Sequence, residues 1–379
     1  MKINLNYKKT ARIISMMCGL LFTIFSLVYL YVFQTDILEA VHFSLAHGKT
    51  VFSPLGSSLI VTVILLVISL LISKFWNIRG SWQAFAYIPS FIILASFTDV
   101  RRGIYTVDYS SYNFWLYSSL FVGSLLLLFL MRSSFAHSVK RGLVHPSVYM
   151  VNVLCFLVLA LLTAMVGTTD KLYHNELQAE ALLRKGDNYN ALMVAHRSKE
   201  ASRTLTALRA LALAKEGLMG EKLFEYPQYY RADGLTFSAD SLTTLRYNND
   251  SIKSGLGLPA TTLLSDGAEL GDYCRTDSCT EAAVDYYLSA LLLEKKLDSF
   301  VEALPLFYDC SRVLPKHYLE ALMMFEHLHH KTVERNTEIQ QYFKSYLEGK
   351  KKYHHTKHEK NLMKLSYDKT YWWYFDYQQ

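Results

Sequence analysis

The chain has 379 residues and a net charge of +6, with 51% hydrophobic and only 19% charged residues, where soluble proteins carry about 25% charged ones. The charge is low for a soluble chain, and the length allows about two domains. No G-x-S-x-G, H-E-x-x-H, G-x-x-x-x-G-K-[ST] or G-x-G-x-x-G stretch occurs, so the commonest hydrolase, metalloprotease and nucleotide-binding signatures are absent.

The apolar residues are concentrated in 1–168, which reads as a transmembrane domain. Runs near 13–33, 56–73, 82–98, 113–131 and 147–167 approach or reach the roughly 20 apolar residues that a spanning helix needs. The first is too long for a cleaved signal peptide, and no A-x-A site follows it. None of the five contains Asp, Glu, Lys, Arg or His, which argues against a pump, an ion-coupled transporter or a voltage sensor. The run at 82–98 is short and carries Pro89.

Between the first two runs, QTDILEAVHFSLAHGK places Asp36 and Glu39 three apart. Two such carboxylates could act as base and metal ligand in a membrane-embedded glycosyl- or lipid-modifying transferase. The same stretch also reads as a short interfacial helix with Ile37, Leu38, Val41 and Leu45 on one stripe.

With five spans and the N-terminus inside, the short cytoplasmic segments hold nine Lys and Arg, and the outside loops hold three: Lys49, Arg101 and Arg102. That bias fits a bacterial inner-membrane protein whose residues 169–379 lie in the periplasm. If 82–98 does not span, the C-terminal half falls on the cytoplasmic side instead.

Residues 171–222 show apolar residues at three- and four-residue spacing, with breaks at Gly186 and Gly217, as in stacked helical hairpins. Residues 223–280 interrupt this pattern and read as an irregular insertion. Its Tyr226, Tyr229, Tyr230 and Arg231 could form a partner or ligand surface. Cys274 and Cys279 fit a disulfide if the compartment is oxidising, or else two buried thiols. Further helices are expected through 281–330.

The run GKKKYHHTKHEK, 349–360, carries five lysines and three histidines. Lys350, Lys351, Lys352 and Lys357 suit an anionic headgroup or polysaccharide, or simply a solvated helix face. The lysines repel a cation, so neither a metal nor another cofactor is expected, and outside the cytoplasm nucleic acid is no partner. In YWWYFDY, Trp372 and Trp373 could serve a membrane interface, a ligand, or docking on the chain's own domain.

The stretch AEALLRKGDNYNAL, 179–192, is similar to the first half of a tetratricopeptide repeat, with Gly186 and Tyr189 three apart. LDSFVEALPLF, 297–307, resembles a second, degenerate copy. Together with YHNEL, LPKHYLEAL and TYWWYFDY, the arrangement resembles uncharacterised Bacteroidales-type multi-pass membrane proteins. The expectation is therefore all-α: a polytopic bundle of about five spans, then an irregular tetratricopeptide-like domain. Such surfaces usually hold another protein, so the chain reads as a scaffold with membrane lipid and an envelope protein as partners, more than as an enzyme.

Overall fold

A computed structural model describes residues 2–105, 112–141, 147–238, 245–262, 264, 267–276, 278–330, 337–354 and 356–378. Among these, all regular structure is helical. The chain divides into two compact units, the first ending at His174 and the second beginning at Asn175.

In the first unit, α1 (Lys2–Val28) runs into one π-helical turn, Tyr29–Phe33. Next come α2 (Thr35–Ala46) and α3 (Pro54–Phe75). The Ser53 hydroxyl caps α3 by accepting from the Gly56 N–H, and Pro54 occupies the first turn, where its missing N–H has no partner to lose. A 3-10 stretch, Gly80–Tyr87, leads into α4 (Ile88–Thr98), followed by α5 (Tyr112–Arg141) and α6 (Ser147–Val166). Four segments are long and apolar enough to cross a membrane: Lys9–Phe33, Pro54–Phe75, Phe114–Ser133 and Val148–Val166. They expose large apolar side chains such as Ile60, Ile64, Leu71, Leu126, Leu130, Leu157 and Leu161.

The third apolar run, 82–98, differs. Its α-helical part, α4, has eleven residues, and Pro89 sits in its first turn. Proline cannot supply the N–H of a regular helix interior, and the preceding eight residues tighten into the 3-10 form. Together the two pieces extend about 32 Å at their ordinary rises per residue. They occupy the middle of the unit: Ala84, Tyr87, Phe91 and Leu94 are at most 2% exposed. Phe22 packs against Tyr87 and Phe91 at ring distances of 5.2 and 5.3 Å. Polar side chains join the helices, as suits segments without water. Ser90 donates to the Leu65 carbonyl (2.8 Å), and Asn152 accepts from the Ala84 N–H (2.8 Å) while donating to the Gly80 carbonyl (3.0 Å).

These bonds fix direction. At one end Asn152, near the start of α6, meets Gly80, and Gln83 donates to Ser73 near the end of α3. At the other end Thr168, just past α6, accepts and donates around Thr98 and Val100, and the Tyr29 hydroxyl donates to Thr98 Oγ1. Tyr117, near the start of α5, donates to Asp99 there. The segments α1, α3, 80–98, α5 and α6 therefore alternate in direction from end to end.

The helix α7 (Lys171–Arg184) crosses the division. The second unit continues with α8 (Asn188–Met193), α9 (Arg203–Lys215), α10 (Met219–Lys222), α11 (Asn249–Leu256) and α12 (Gly267–Cys274). Then follow α13 (Glu281–Leu293), α14 (Leu297–Phe307), α15 (Lys316–Leu328), α16 (Thr337–Tyr353), α17 (Glu359–Tyr367) and α18 (Tyr371–Tyr377). Every residue of α9 from Leu205 to Ala214 is buried; its alanines let neighbours approach closely. Where a tetratricopeptide-like second helix would continue, α8 stops after six residues. Ala195 takes a left-handed φ of 49°, and Arg209 Nη2 holds the Val194 and Ala195 carbonyls at 2.8 and 3.0 Å. Residues 223–280, expected to be irregular, contain 3-10 turns at Leu223–Glu225 and Arg231–Leu235 besides α11 and α12.

The C-terminal aromatic run docks on its own unit. Trp372 is fully buried against Phe343 (4.8 Å) and Tyr346 (5.7 Å), and its Nε1 donates to the Glu320 carbonyl at 2.7 Å. The buried Glu320 carboxylate accepts from the Tyr371 N–H at 2.7 Å and pairs with His317 Nδ1 at 2.8 Å. Trp372 is thus corrected from a candidate contact residue to a core residue, because its ring has no face left for a partner.

Candidate functional site

Four stretches far apart in sequence meet in the second unit: the turn 196–199, the loop 224–229, the end of α17 with the turn after it, and one face of α18. They enclose a cleft of about 340 Å³. Its floor is aromatic. Phe224 packs on Tyr374 at 4.9 Å, and Tyr226 and Trp373 complete the surface. Four cations line it, Arg197, Lys199, Lys364 and Lys369, against two carboxylates, Glu225 and Asp368. Lys364 Nζ lies 5.3 Å from the Trp373 ring centroid, a cation–π distance.

Buried Arg209 braces two of the walls. Besides holding the 194–195 carbonyls, its guanidinium lies 5.1 Å from the Tyr226 ring centroid. Burial pulls its pKa down to about 10, partly offset by Tyr226, so it is charged at neutral pH. Tyr229 donates to the Lys199 carbonyl (2.7 Å) and Tyr230 to that of Ala201 (3.3 Å), which ties the loop to the turn. Two lining residues hold buried polar atoms without a hydrogen-bond partner: Gln228 Oε1, an acceptor, and Trp373 Nε1, a donor. Gln228 and Trp373 are 3% and 6% exposed. Unpaired buried groups of this kind are costly, and a ligand offering both a donor and an acceptor would satisfy them.

Of the aromatic candidates, the cleft thus gathers Tyr226, Tyr229 and Trp373, while Tyr230 and Arg231 are exposed beside it. The lysine run lies elsewhere. Lys350 binds Asp376 at 2.5 Å, and Tyr346 also donates to that carboxylate, so Lys350 is corrected from an anion contact to a residue that pins α18 to α16. Lys351, Lys352 and Lys357 are exposed. His354 lies 3.6 Å from Glu359, and His355 is outside the described residues. Among the described residues no group of three or more His, Cys, Asp or Glu could hold a metal. Cys274 and Cys279 stand as free thiols hydrogen-bonded to each other, both pushed up first by burial.

In the first unit Asp36 has a partner that the sequence did not suggest. His174 Nδ1 lies 2.6 Å from Asp36 Oδ2, and His174 Nε2 lies 3.0 Å from the Thr168 carbonyl. Burial lowers the imidazole pKa, but the Asp36 carboxylate, the Thr168 carbonyl and nearby Asp170 outweigh it, and the net shift is upward. A carboxylate and a carbonyl both favour a donor facing them, so the arrangement favours the doubly protonated ring. No ring nitrogen is left to face a substrate. Glu39 lies half-buried one turn further along α2.

The sequence of both units matches a single family over residues 5–254 and 261–378. The chain belongs to the family of unknown function DUF6057. No curated protein and no solved structure matches this DUF6057 chain. Sequence reasoning missed Arg197, Lys199, Lys364 and Lys369 in the cleft, and Arg209 behind it, because they come from three stretches far apart in sequence and form no cluster in any one of them. The one available signal was that Lys364 and Lys369 flank the aromatic run.

Proposed function

We propose that this DUF6057 protein crosses the inner membrane five times, with its N-terminus inside, and uses the cleft of its second unit to hold an acidic peptide segment of an envelope partner. Four features support this reading: the excess of cations, the aromatic floor, the bracing by Arg209, and above all the orphan donor and acceptor on Trp373 and Gln228. A peptide group supplies both complements at once, and acidic side chains would answer the lysines. The transferase reading of Asp36 and Glu39 is less well supported, since Asp36 is already engaged by a doubly protonated His174.

Binding of a fluorescein-labelled Glu- and Asp-rich decapeptide to the detergent-solubilised full chain tests the reading. Binding should weaken with added salt and fall about tenfold or more in a Lys364→Glu, Lys369→Glu variant. Equal binding by that variant, or competition by alginate but not by the unlabelled peptide, would overturn it.

A further inference from the structure

A second cavity, of about 670 Å³, lies wholly in the first unit between α1 and α6. Leu21, Phe25 and Val28 line it along α1, at intervals that share one helix face, and on α6 the small Ala160 and Ala164 leave it open. Its walls are apolar over this length. Toward the end where α1 and α6 finish, the polar residues Tyr29, Gln34, Thr168, Thr169 and His174 line it; the Tyr29 hydroxyl is already engaged with Thr98. That combination, a long apolar channel with a few polar groups at one end, is the form of an amphiphile site. The π turn at Tyr29–Phe33 lies beside this polar end, and such turns within helices recur at functional sites.

The polar end has a definite hydrogen-bonding character. Gln34 Nε2 donates to the Thr168 carbonyl at 3.1 Å, which fixes the amide orientation. Its Oε1 is left buried without a partner, in a side chain 4% exposed. The cationic His174 beside it is already neutralised by Asp36. The unfilled position is thus an acceptor next to an ion pair of zero net charge. It calls for a donor on a neutral or zwitterionic head rather than for a bare anion.

We propose that this groove binds one acyl chain of a membrane amphiphile whose head presents an O–H or N–H donor to Gln34 Oε1. The site rests on the membrane-embedded reading of the first unit and is independent of the peptide cleft. Two head chemistries carry such a donor, a glycerol hydroxyl and an ethanolamine ammonium; a choline head has none.

Native mass spectrometry of the full chain, released from detergent with added monoolein, dioleoyl phosphatidylethanolamine or dioleoyl phosphatidylcholine, separates them. Retention of monoolein or of the ethanolamine lipid should exceed that of the choline lipid by about fivefold, the worth of one hydrogen bond. Whichever of the two is retained identifies the head. Ala164→Phe should fill the groove and abolish retention of all three. Gln34→Leu should keep chain binding and erase the preference, and this arm decides the matter if Ala164→Phe does not fold. Equal retention of all three lipids by the wild type, or an undiminished preference in Gln34→Leu, would overturn the proposal.

Discussion

Raising the pH should loosen the clasp between Asp36, His174 and Thr168. His174 has two partners that each favour a donor facing them, so the doubly protonated ring is favoured and its pKa in the folded protein lies above the ordinary value of about 6.5. A group with a raised folded pKa contributes stability that is whole below its unfolded pKa and is lost as the pH climbs through the folded one. The clasp is therefore complete below about pH 6.5 and fades at higher pH. The side chains of His174 and Asp36 are 20% and 17% exposed, so solvent screens the pair only modestly. A hydrogen bond to a charged group is worth about 1.5–3 kcal/mol, which corresponds to a melting shift of a few to about ten degrees for a unit of this size. The assay is thermal unfolding of the detergent-solubilised full chain across pH 5.5 to 9 (a range of about 3.5 units around the ordinary histidine value), for the wild type, His174→Gln and Asp36→Asn. The gap between wild type and either variant should be widest at low pH and should close as the pH rises. A gap that stays constant, or one that widens with pH, would refute the doubly protonated ring.

Three further outcomes are expected. A Cβ at Gly167 would stand 2.0 Å from the Tyr29 hydroxyl, so Gly167→Ala should destabilise the first unit by about 1–3 kcal/mol. Tyr29→Phe should recover part of that loss in the double variant, as read by thermal unfolding. Glu320→Ala strips a fully buried carboxylate from His317 and from the Tyr371 N–H; a loss of about 3–5 kcal/mol should free the C-terminal aromatic helix and make it sensitive to limited proteolysis. Cys274 and Cys279 are close enough to hydrogen-bond. Mild oxidation should therefore bridge them, leaving exposed Cys310 as the one thiol of the second unit that a maleimide still labels.

Some of this architecture is written in local patterns, and some is not. The first, second, fourth and fifth apolar runs are legible because lipid-facing helices are apolar on every exposed side. The run at 82–98 is harder to read because its neighbours cover it, its length is split between a 3-10 stretch and an α-helix, and its Ser90 and Gln83 are satisfied by Leu65, Ser69 and Ser73. In the second unit the aromatic candidates were visible as unusual composition, but composition does not say which ring is core. Trp372 and Trp373 are adjacent, and the helix turns one into the interior and the other toward the cleft. The cations of the cleft, and the pairing of Asp36 with a histidine 138 residues away, depend on chain topology that no short window contains.

Sidedness depends on the same buried segment, and the hydrogen bonds bear on it directly. Were 80–98 to turn back on one side, its two ends would lie together. Instead Gly80 meets Asn152 at the start of α6, while Thr98 meets Thr168 past its end. Sixteen residues of helical rise separate Asn152 from Thr168, about 24 Å, most of the roughly 30 Å hydrocarbon core. The segment therefore runs alongside α6 for most of that length. Under the proposed topology of five crossings from a cytoplasmic N-terminus, Ser238 would lie on the outer side. A cysteine introduced at that exposed position should react in intact cells with a maleimide that cannot pass the membrane. Labelling that appears only after the cells are lysed would mean an even number of crossings, and would place the basic cleft in the cytoplasm.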